Sequence, residues 1–449
     1  MSTTLDARAD ATAPAARRGF ADWRHFYRWP AVLIVATLAG AGVTVLWLAD
    51  VYRLAPQGFM DLDAYRLGVQ AWLHGQNMYG TLPRTDFGNE LPFIYPPFAA
   101  AVFVPLAELP WHAMIVAMMA LSTVCLAVVG YLTARRVWPG GGARGAVLVT
   151  ALMVPLSLTA EPVWDTFYFG QINLLLMLLV ALDCLVDRPK WPRGLLIGIA
   201  AAIKLTPAVF LLFFLLRKDY RTSTTIVVSA AAASLIGFVA SWSGSWLYWF
   251  GASGGARSIS GTGFIGNQSI DGGLARWGLS KHDQNTWWLL LVAVALVFAV
   301  IGIVRAHRMS NAPLAMVVTA CFGLVASPVS WGHHWVYAIP AIVVMLAVGI
   351  QRRHVGWLLA AVATAVVLAV VPFFYVADGG TVMTVTQQLK TNAYTVLGLV
   401  LLVAFALPPI LRRARGLLAY RAASVAEAVP EARPEPTPES ESAPVADPV

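Results

Sequence analysis

The chain is a succession of apolar runs, many of them close to the roughly 20 residues a helix needs to cross a bilayer. No other feature restricts the fold as much. Of 449 residues, 58% are hydrophobic and only 12% are charged, against roughly 25% charged in soluble domains. Mean hydropathy is +0.68. That much apolar surface cannot be hidden inside one soluble core. The runs are continuous and do not alternate in period two, so a transmembrane β-barrel is excluded. The expected fold class is an all-α polytopic membrane protein.

The net charge of +8 would suggest nucleic acid in a soluble protein. Here the basic residues sit in short loops between apolar runs, where they set orientation, and no nucleic-acid partner is expected. Arg17, Arg18 and Arg24 precede the first run, 30–49. They hold the N-terminal tail, 1–28, in the cytoplasm and send the run outward. Later runs return to Arg135/Arg136, Arg188/Arg193, Arg305/Arg308, Arg352/Arg353 and Arg412/Arg413. One run, 194–216, has basic residues at both ends, which one crossing cannot supply. It reads as two half-length helices, 194–203 and 206–216, broken at Lys204-Leu205-Thr206-Pro207, where proline interrupts the ladder. The whole amounts to about ten full crossings plus this hairpin, about twelve helices, with both termini inside. The Pro- and Glu-rich end, 421–449, is expected to be a disordered cytoplasmic tail. The membrane domain is 29–420. The protein should reside in the inner (plasma) membrane among its lipids. Cys125, Cys184 and Cys321 share no metal-ligand spacing and read as small core residues.

This topology gathers the unusual polar residues on the outer side. They are Asp61 and Asp63 in the segment after the first run, which continues as an amphipathic helix expected to lie on the membrane surface. They are also Gln171 and Asn173, then Asn267, Gln268 and Arg276 in a Gly-rich loop, then His333 and His334. Lys204 lies at the hairpin break, inside the membrane. Charge in such places is costly and marks a candidate site. No soluble nucleotide sugar is available outside a bacterial cell, so transfer chemistry on that face needs a donor carried by a lipid.

The motifs Asp61-Leu62-Asp63-Ala64-Tyr65, Tyr95-Pro96-Pro97, Gly170-Gln171-Ile172-Asn173, Ile203-Lys204-Leu205-Thr206-Pro207, Asn267-Gln268-Ser269 and Ser330-Trp331-Gly332-His333-His334 occur in one order. In that order they resemble glycosyltransferase family eighty-seven, over most of the chain between 30 and 415. The resemblance implies the GT-C fold and a polyprenyl-phosphate mannose donor. Within the family it points to members of phosphatidylinositol mannoside synthesis, hence to an α-1,2 mannosyltransferase with a phosphatidylinositol mannoside acceptor and no cofactor. It also implies that Asp61 is the catalytic base.

Read from the residues alone, Asp61 is either such a base, which glycosyl transfer to a hydroxyl needs, or a helix cap. Asp63 completes an Asp-x-Asp pattern. With one lipid phosphate as leaving group, it reads as a sugar-binding or capping residue, and no metal site is expected. His333 and His334 are neighbours that cannot both face one point on a helix. One of them would face the site and the other would pack at the interface. Lys204 suits a phosphate, or else snorkels to the inner interface. Tyr65, Gln171, Asn173, Asn267, Gln268 and Arg276 are candidate contacts for sugar hydroxyls and phosphate, the alternative being ordinary loop residues. A lipid or sugar transporter and a non-catalytic envelope assembly protein remain open as other classes.

Overall fold

The computed structural model describes residues 30–54, 58–85, 88, 90–251, 263–375 and 383–407. The tails expected at 1–28 and 421–449 lie outside them. Two compact units are distinguished, 1–406 and 407–449, and only Leu407 of the second is among the described residues.

Among the described residues the regular elements are all helices, with a single isolated bridge between Asn267 and Trp331. The first helix, α1 (Pro30–Arg53), leads to α2 (Met60–Leu73) and then to α3 (Pro97–Ala107). Next come α4 (Trp111–Val137), α5 (Gly142–Ser157), α6 (Glu161–Phe169), α7 (Asn173–Leu185) and α8 (Leu195–Ile203). A 3-10 turn, Thr206–Phe210, introduces α9 (Leu211–Leu216), followed by α10 (Tyr220–Ala240), α11 (Trp242–Phe250), α12 (Ile270–Ala275), α13 (Lys281–Arg308) and α14 (Ala312–Ala326). A second 3-10 turn, Gly332–Tyr337, opens α15 (Ala338–Arg352). The last helices are α16 (Val355–Val370), α17 (Val385–Thr391) and α18 (Ala393–Leu407).

Among these, 6 helices are long and apolar enough to cross a membrane, or 8 if each of two bent pairs counts as one span. The bent pairs are α6 with α7, at 119°, and α17 with α18, at 80°. Four further apolar helices, α3, α9 with its 3-10 turn, α14 and α16, are shorter. The all-α polytopic class expected from composition is present, with more short and broken helices than an even series of crossings.

The hairpin has a direct packing signature. Gly194 packs against Thr222 and Ile226, and Gly198 against Ser229 and Ala230, so α8 and α10 run parallel. Since α9 ends just before α10 begins, the chain between must run back. Lys204 lies at the reversal in an extended conformation (φ −150°, ψ 128°). Pro207 has no N–H to continue the ladder there. At its base, Asp183 on α7 accepts from the backbone N–H of Ile197 (3.0 Å) and the indole of Trp191 (2.8 Å). It thereby caps α8 from a different helix.

α2 departs from expectation. It does not merely lie on a membrane surface. Leu62, Tyr65 and Val69 form a stripe at helical spacing and are buried. The Tyr65 ring stacks on Phe103 of α3, centroids 4.7 Å apart. α2 and the bundle share one core, so residues at the start of α2 are held against the protein.

Candidate active site

The site is built where helices are interrupted. α2 starts at Phe59, buried, in the left-handed region (φ 63°), its N–H donating to Tyr168 O at 2.5 Å. That contact fixes the first turn, where Asp61 stands and where a carboxylate is favoured by the helix dipole. α6 ends at Gly170, φ +70°, a left-handed terminus glycine adopts without strain. A Cβ there would collide with Leu62 and Phe59. The resulting bend delivers Gln171 to α2 and Asn173 to the hairpin.

One hydrogen-bonded network results. Gln171 Nε2 donates to Asp61 Oδ2 at 2.5 Å, while Gln171 Oε1 accepts from Tyr65 Oη at 2.7 Å and Tyr95 Oη at 3.2 Å. Lys204 Nζ donates to Asn173 Oδ1 at 3.1 Å and Tyr95 Oη at 3.5 Å, and lies 2.9 Å from His334 Nε2. Asn173 Nδ2 donates to the His333 carbonyl at 3.1 Å, and the Trp331 N–H donates to His334 Nδ1 at 3.2 Å. Hence one carboxylate and one ammonium, set in apolar walls, are joined through amides and phenols. Burial pushes the Asp61 carboxyl up to about 6, opposed by the Gln171 hydrogen bond and the Lys204 charge. A carboxylate in that range is a better proton acceptor than an exposed one.

Of the two histidines, His334 is the one bound to Lys204. The His333 ring packs edge-on against Phe169 and His334, and its Nε2 has no hydrogen-bond partner among the described residues. Next to this cluster opens a small cleft, about 50 Å³, lined by Asn173, Thr206, Phe210, Leu324, His334 and Tyr337, among others. Its walls are mostly apolar.

The remaining sequence candidates are held elsewhere. Asp63 is fully buried and paired with Arg66 at 2.8 Å, away from the Asp61–Gln171 pair. Asn267 donates to Pro328 O at 3.1 Å and accepts from Ser330 N at 2.9 Å. Gln268 donates to Ile265 O and Thr391 O, both at 2.8 Å, and accepts from Tyr394 N at 3.1 Å. Arg276 donates to Phe264 O, Asn267 O and Asn392 Oδ1. Burial pulls its guanidinium down to about 10, so it stays charged near neutrality. These three side chains tie the segment 264–276 to the His333 turn and to α17 and α18. Among the described residues no three His, Cys, Asp or Glu side chains are grouped as metal ligands.

Some polar residues of this region were missed from sequence. Tyr95 was noted only as part of a motif. Glu161 and Asp165 stand one helical turn apart on α6, and Tyr394 Oη donates to Glu161 Oε2 at 2.9 Å. Their signal was available as two carboxylates four residues apart in an apolar stretch.

A helical membrane protein with a half-buried carboxyl and an ammonium in one polar cluster, beside a mostly apolar cleft, has the make-up of an enzyme that works at a membrane. The model of glycosyltransferase family 87 matches residues 93–328, and the chain belongs to this family. The match includes Gln171, Asn173 and Lys204, whereas Asp61 and His334 lie outside it. The chain is 40% identical over 329 residues to the polyprenol-phosphate-mannose-dependent alpha-(1-2)-phosphatidylinositol mannoside mannosyltransferase of Mycobacterium tuberculosis, covering 70% of this chain and 76% of the relative. The protein of the same name from Mycolicibacterium smegmatis is also 40% identical, over 76% of this chain and 80% of the relative. A polyprenol-phosphate-mannose-dependent alpha-(1-2)-phosphatidylinositol pentamannoside mannosyltransferase of Mycobacterium tuberculosis is 32% identical, over 79% and 78%. No solved structure shows a significant match.

Proposed function

We propose that this glycosyltransferase moves mannose from polyprenyl-phosphate mannose to a phosphatidylinositol mannoside, forming an α-1,2 linkage on the outer face of the inner (plasma) membrane. The observation that carries the reading is the single network joining Asp61 to Lys204 and His334 through Gln171, Tyr95 and Asn173. The names of the relatives support the substrates.

Asp61 takes the proton of the acceptor hydroxyl as its oxygen attacks C1 of the donor mannose. The C1–O bond to phosphate breaks, and its electron pair leaves on polyprenyl phosphate. A β-linked donor gives an α product by this inversion. The developing charge on the phosphate needs preorganised positive charge. Lys204 supplies it, with His334 and Asn173 holding the ammonium in place, and the cleft along the hairpin takes the first apolar units of the polyprenyl chain. Gln171 keeps Asp61 aimed and Tyr65 aims Gln171. The segment holding Asn267, Gln268 and Arg276 braces the His333–His334 turn. Both termini are assigned to the cytoplasm.

The test uses purified protein with labelled polyprenyl-phosphate mannose and phosphatidylinositol mannosides. Label in the glycolipid, dependent on both substrates, is expected. Absence of transfer, together with passage of the lipid-linked sugar across protein-containing vesicles, would replace the reading with a transporter.

A further inference from the structure

α10 is one of the helices long and apolar enough to cross a membrane. Its length of 21 residues corresponds to roughly 30 Å, the thickness of a hydrocarbon core. Arg217, Lys218 and Arg221 mark one end, and from Thr222 to Ala256 the sequence holds no Asp, Glu, Lys, Arg or His. One side of α10 packs on α3, with Gly237 against the backbone of Phe98. The other side bares Val228, Leu235, Ile236 and Val239, and in a span that side meets lipid. The helix breaks at Ser241 (φ −150°, ψ 88°). Beyond the break, Trp242, Trp246, Trp249 and Phe250 of α11 fall on one face at helical spacing and are 70%, 56%, 37% and 65% exposed. The Trp246 and Phe250 rings pack together, centroids 4.7 Å apart, and Trp242 packs on Phe238 of α10 at 5.8 Å. The bare side of α10 thus runs on into that of α11. The opposite face of α11 is built for close packing: Gly244 and Ser245 are buried, Gly244 sits against Met78, and Tyr248 packs on Tyr79 at 5.8 Å.

We infer that α11 is a membrane-interface anchor, its aromatic face bedded in the headgroup region of the leaflet opposite Arg217, Lys218 and Arg221. Its partner is a lipid surface. The four aromatic side chains expose on the order of 450 Å², and in water a patch of that size would mark an association site. α11 begins where a span ends, which sets it at headgroup depth, and there the part-polar indole ring is favoured. A protein partner would leave a polar rim, and this stretch offers no charged residue for one. The anchor is fastened to elements that carry the site. Trp72 Nε1, near the end of α2, donates to the Ala240 carbonyl at 3.2 Å. Tyr79 Oη, against Tyr248, donates to the Tyr95 carbonyl at 2.7 Å. Through α11 the bilayer surface holds the far end of the helix that begins beside Asp61, and the segment that delivers Tyr95 to the network.

The experiment measures the depth of α11 in a bilayer. Cys125, Cys184 and Cys321 are buried, so an added exposed cysteine takes a nitroxide label selectively. Ser243 is exposed at the edge of the aromatic face, and Leu235 is exposed on the bare side of α10. Ser243→Cys and Leu235→Cys are labelled separately in the full chain and reconstituted in vesicles of phosphatidylcholine and phosphatidylglycerol. Collision rates with oxygen, which concentrates in the bilayer, and with a water-soluble nickel chelate are read by electron paramagnetic resonance. The oxygen-to-nickel ratio at Ser243 should exceed that of the free label in water and stay below that at Leu235. Adding Trp246→Ser and Phe250→Ser to Ser243→Cys should lower the ratio toward the value in water. A ratio at Ser243 equal to that in water overturns the inference. So does an immobilised label shielded from both agents, which would mean that a second copy or another protein covers the face. An unchanged ratio after both serine substitutions overturns it as well, since the aromatic rings would then not set the depth. If the triple variant fails to fold, the comparison of Ser243 with Leu235 decides. None of these outcomes depends on mannosyl transfer.

Discussion

Two polar, glycine-bearing segments of this protein look alike in sequence and behave differently in the fold. One is Gly170-Gln171-Ile172-Asn173, and the other is Gly266-Asn267-Gln268-Ser269 with Arg276. The amides of the first reach mainly other side chains: Gln171 reaches Asp61, Tyr65 and Tyr95, and Asn173 reaches Lys204 as well as the His333 carbonyl. The amides of the second reach backbone, at Pro328, Ser330, Ile265, Thr391 and Tyr394. Side chains joined to ionisable side chains make a network that substrate can enter and reorganise. Side chains that complete buried backbone groups have no spare valence and hold a loop in shape. The comparison separates chemistry from scaffold within one set of sequence candidates.

Substitutions in the two segments should break in different observables. After Asp61 itself, the largest effect is expected at Lys204. Lys204→Gln should lower kcat by about a hundred- to a thousandfold, as removal of a preorganised charge-stabilising donor does, with the protein still folded. Acidity comes next. Asp61 must be ionised to accept a proton, and its carboxyl titrates at about 6. The rate should therefore be level above that pH and fall about tenfold per unit below it, and a pH profile of kcat/KM checks this. Gly170→Ala follows. Its left-handed φ of +70° and the contact with Leu62 should cost about 1–3 kcal/mol of stability. The shift of Gln171 should lower kcat with little change in either KM, read by thermal unfolding alongside transfer kinetics. The smallest effect on catalysis is expected at Asn267. Asn267→Ala leaves the buried N–H of Ser330 unpaired and removes one of two donors to the Pro328 carbonyl, and should destabilise by about 1–3 kcal/mol. The folded fraction should turn over normally, and a raised KM there would erase the distinction between the two segments.

Much of this architecture is legible in the sequence because membranes penalise charge in a directional way. Loop arginines order the runs, and the basic residues at both ends of 194–216 call for the hairpin seen in the packing of Gly194 and Gly198 against α10. Asp61, Lys204 and the pair His333 and His334 stand out for the same reason, being ionisable groups in or beside apolar runs. What sequence leaves unresolved is who partners whom. An amide facing a substrate and an amide facing a carbonyl are the same letter, so Asn267, Gln268 and Arg276 could not be told from Gln171 and Asn173. Asp63 likewise looked like a partner of Asp61 until its ion pair with Arg66, three residues on, was seen. Glu161 and Asp165 escaped notice because a charge count along a run does not record that two acids lie on one helical face. The short helix α3 was passed over because proline flanks it at Pro96 and Pro110, and Pro105 lies within it.

The central claim is that Asp61, and not its neighbour, takes the acceptor proton. It is tested most directly by measuring mannosyl transfer from labelled polyprenyl-phosphate mannose by purified Asp61→Asn and Asp63→Asn side by side. Asp61→Asn should lose about a hundred- to ten-thousandfold in kcat with unfolding unchanged, while Asp63→Asn keeps its kcat and unfolds at lower temperature. Transfer by Asp61→Asn at the wild-type rate would contradict the account.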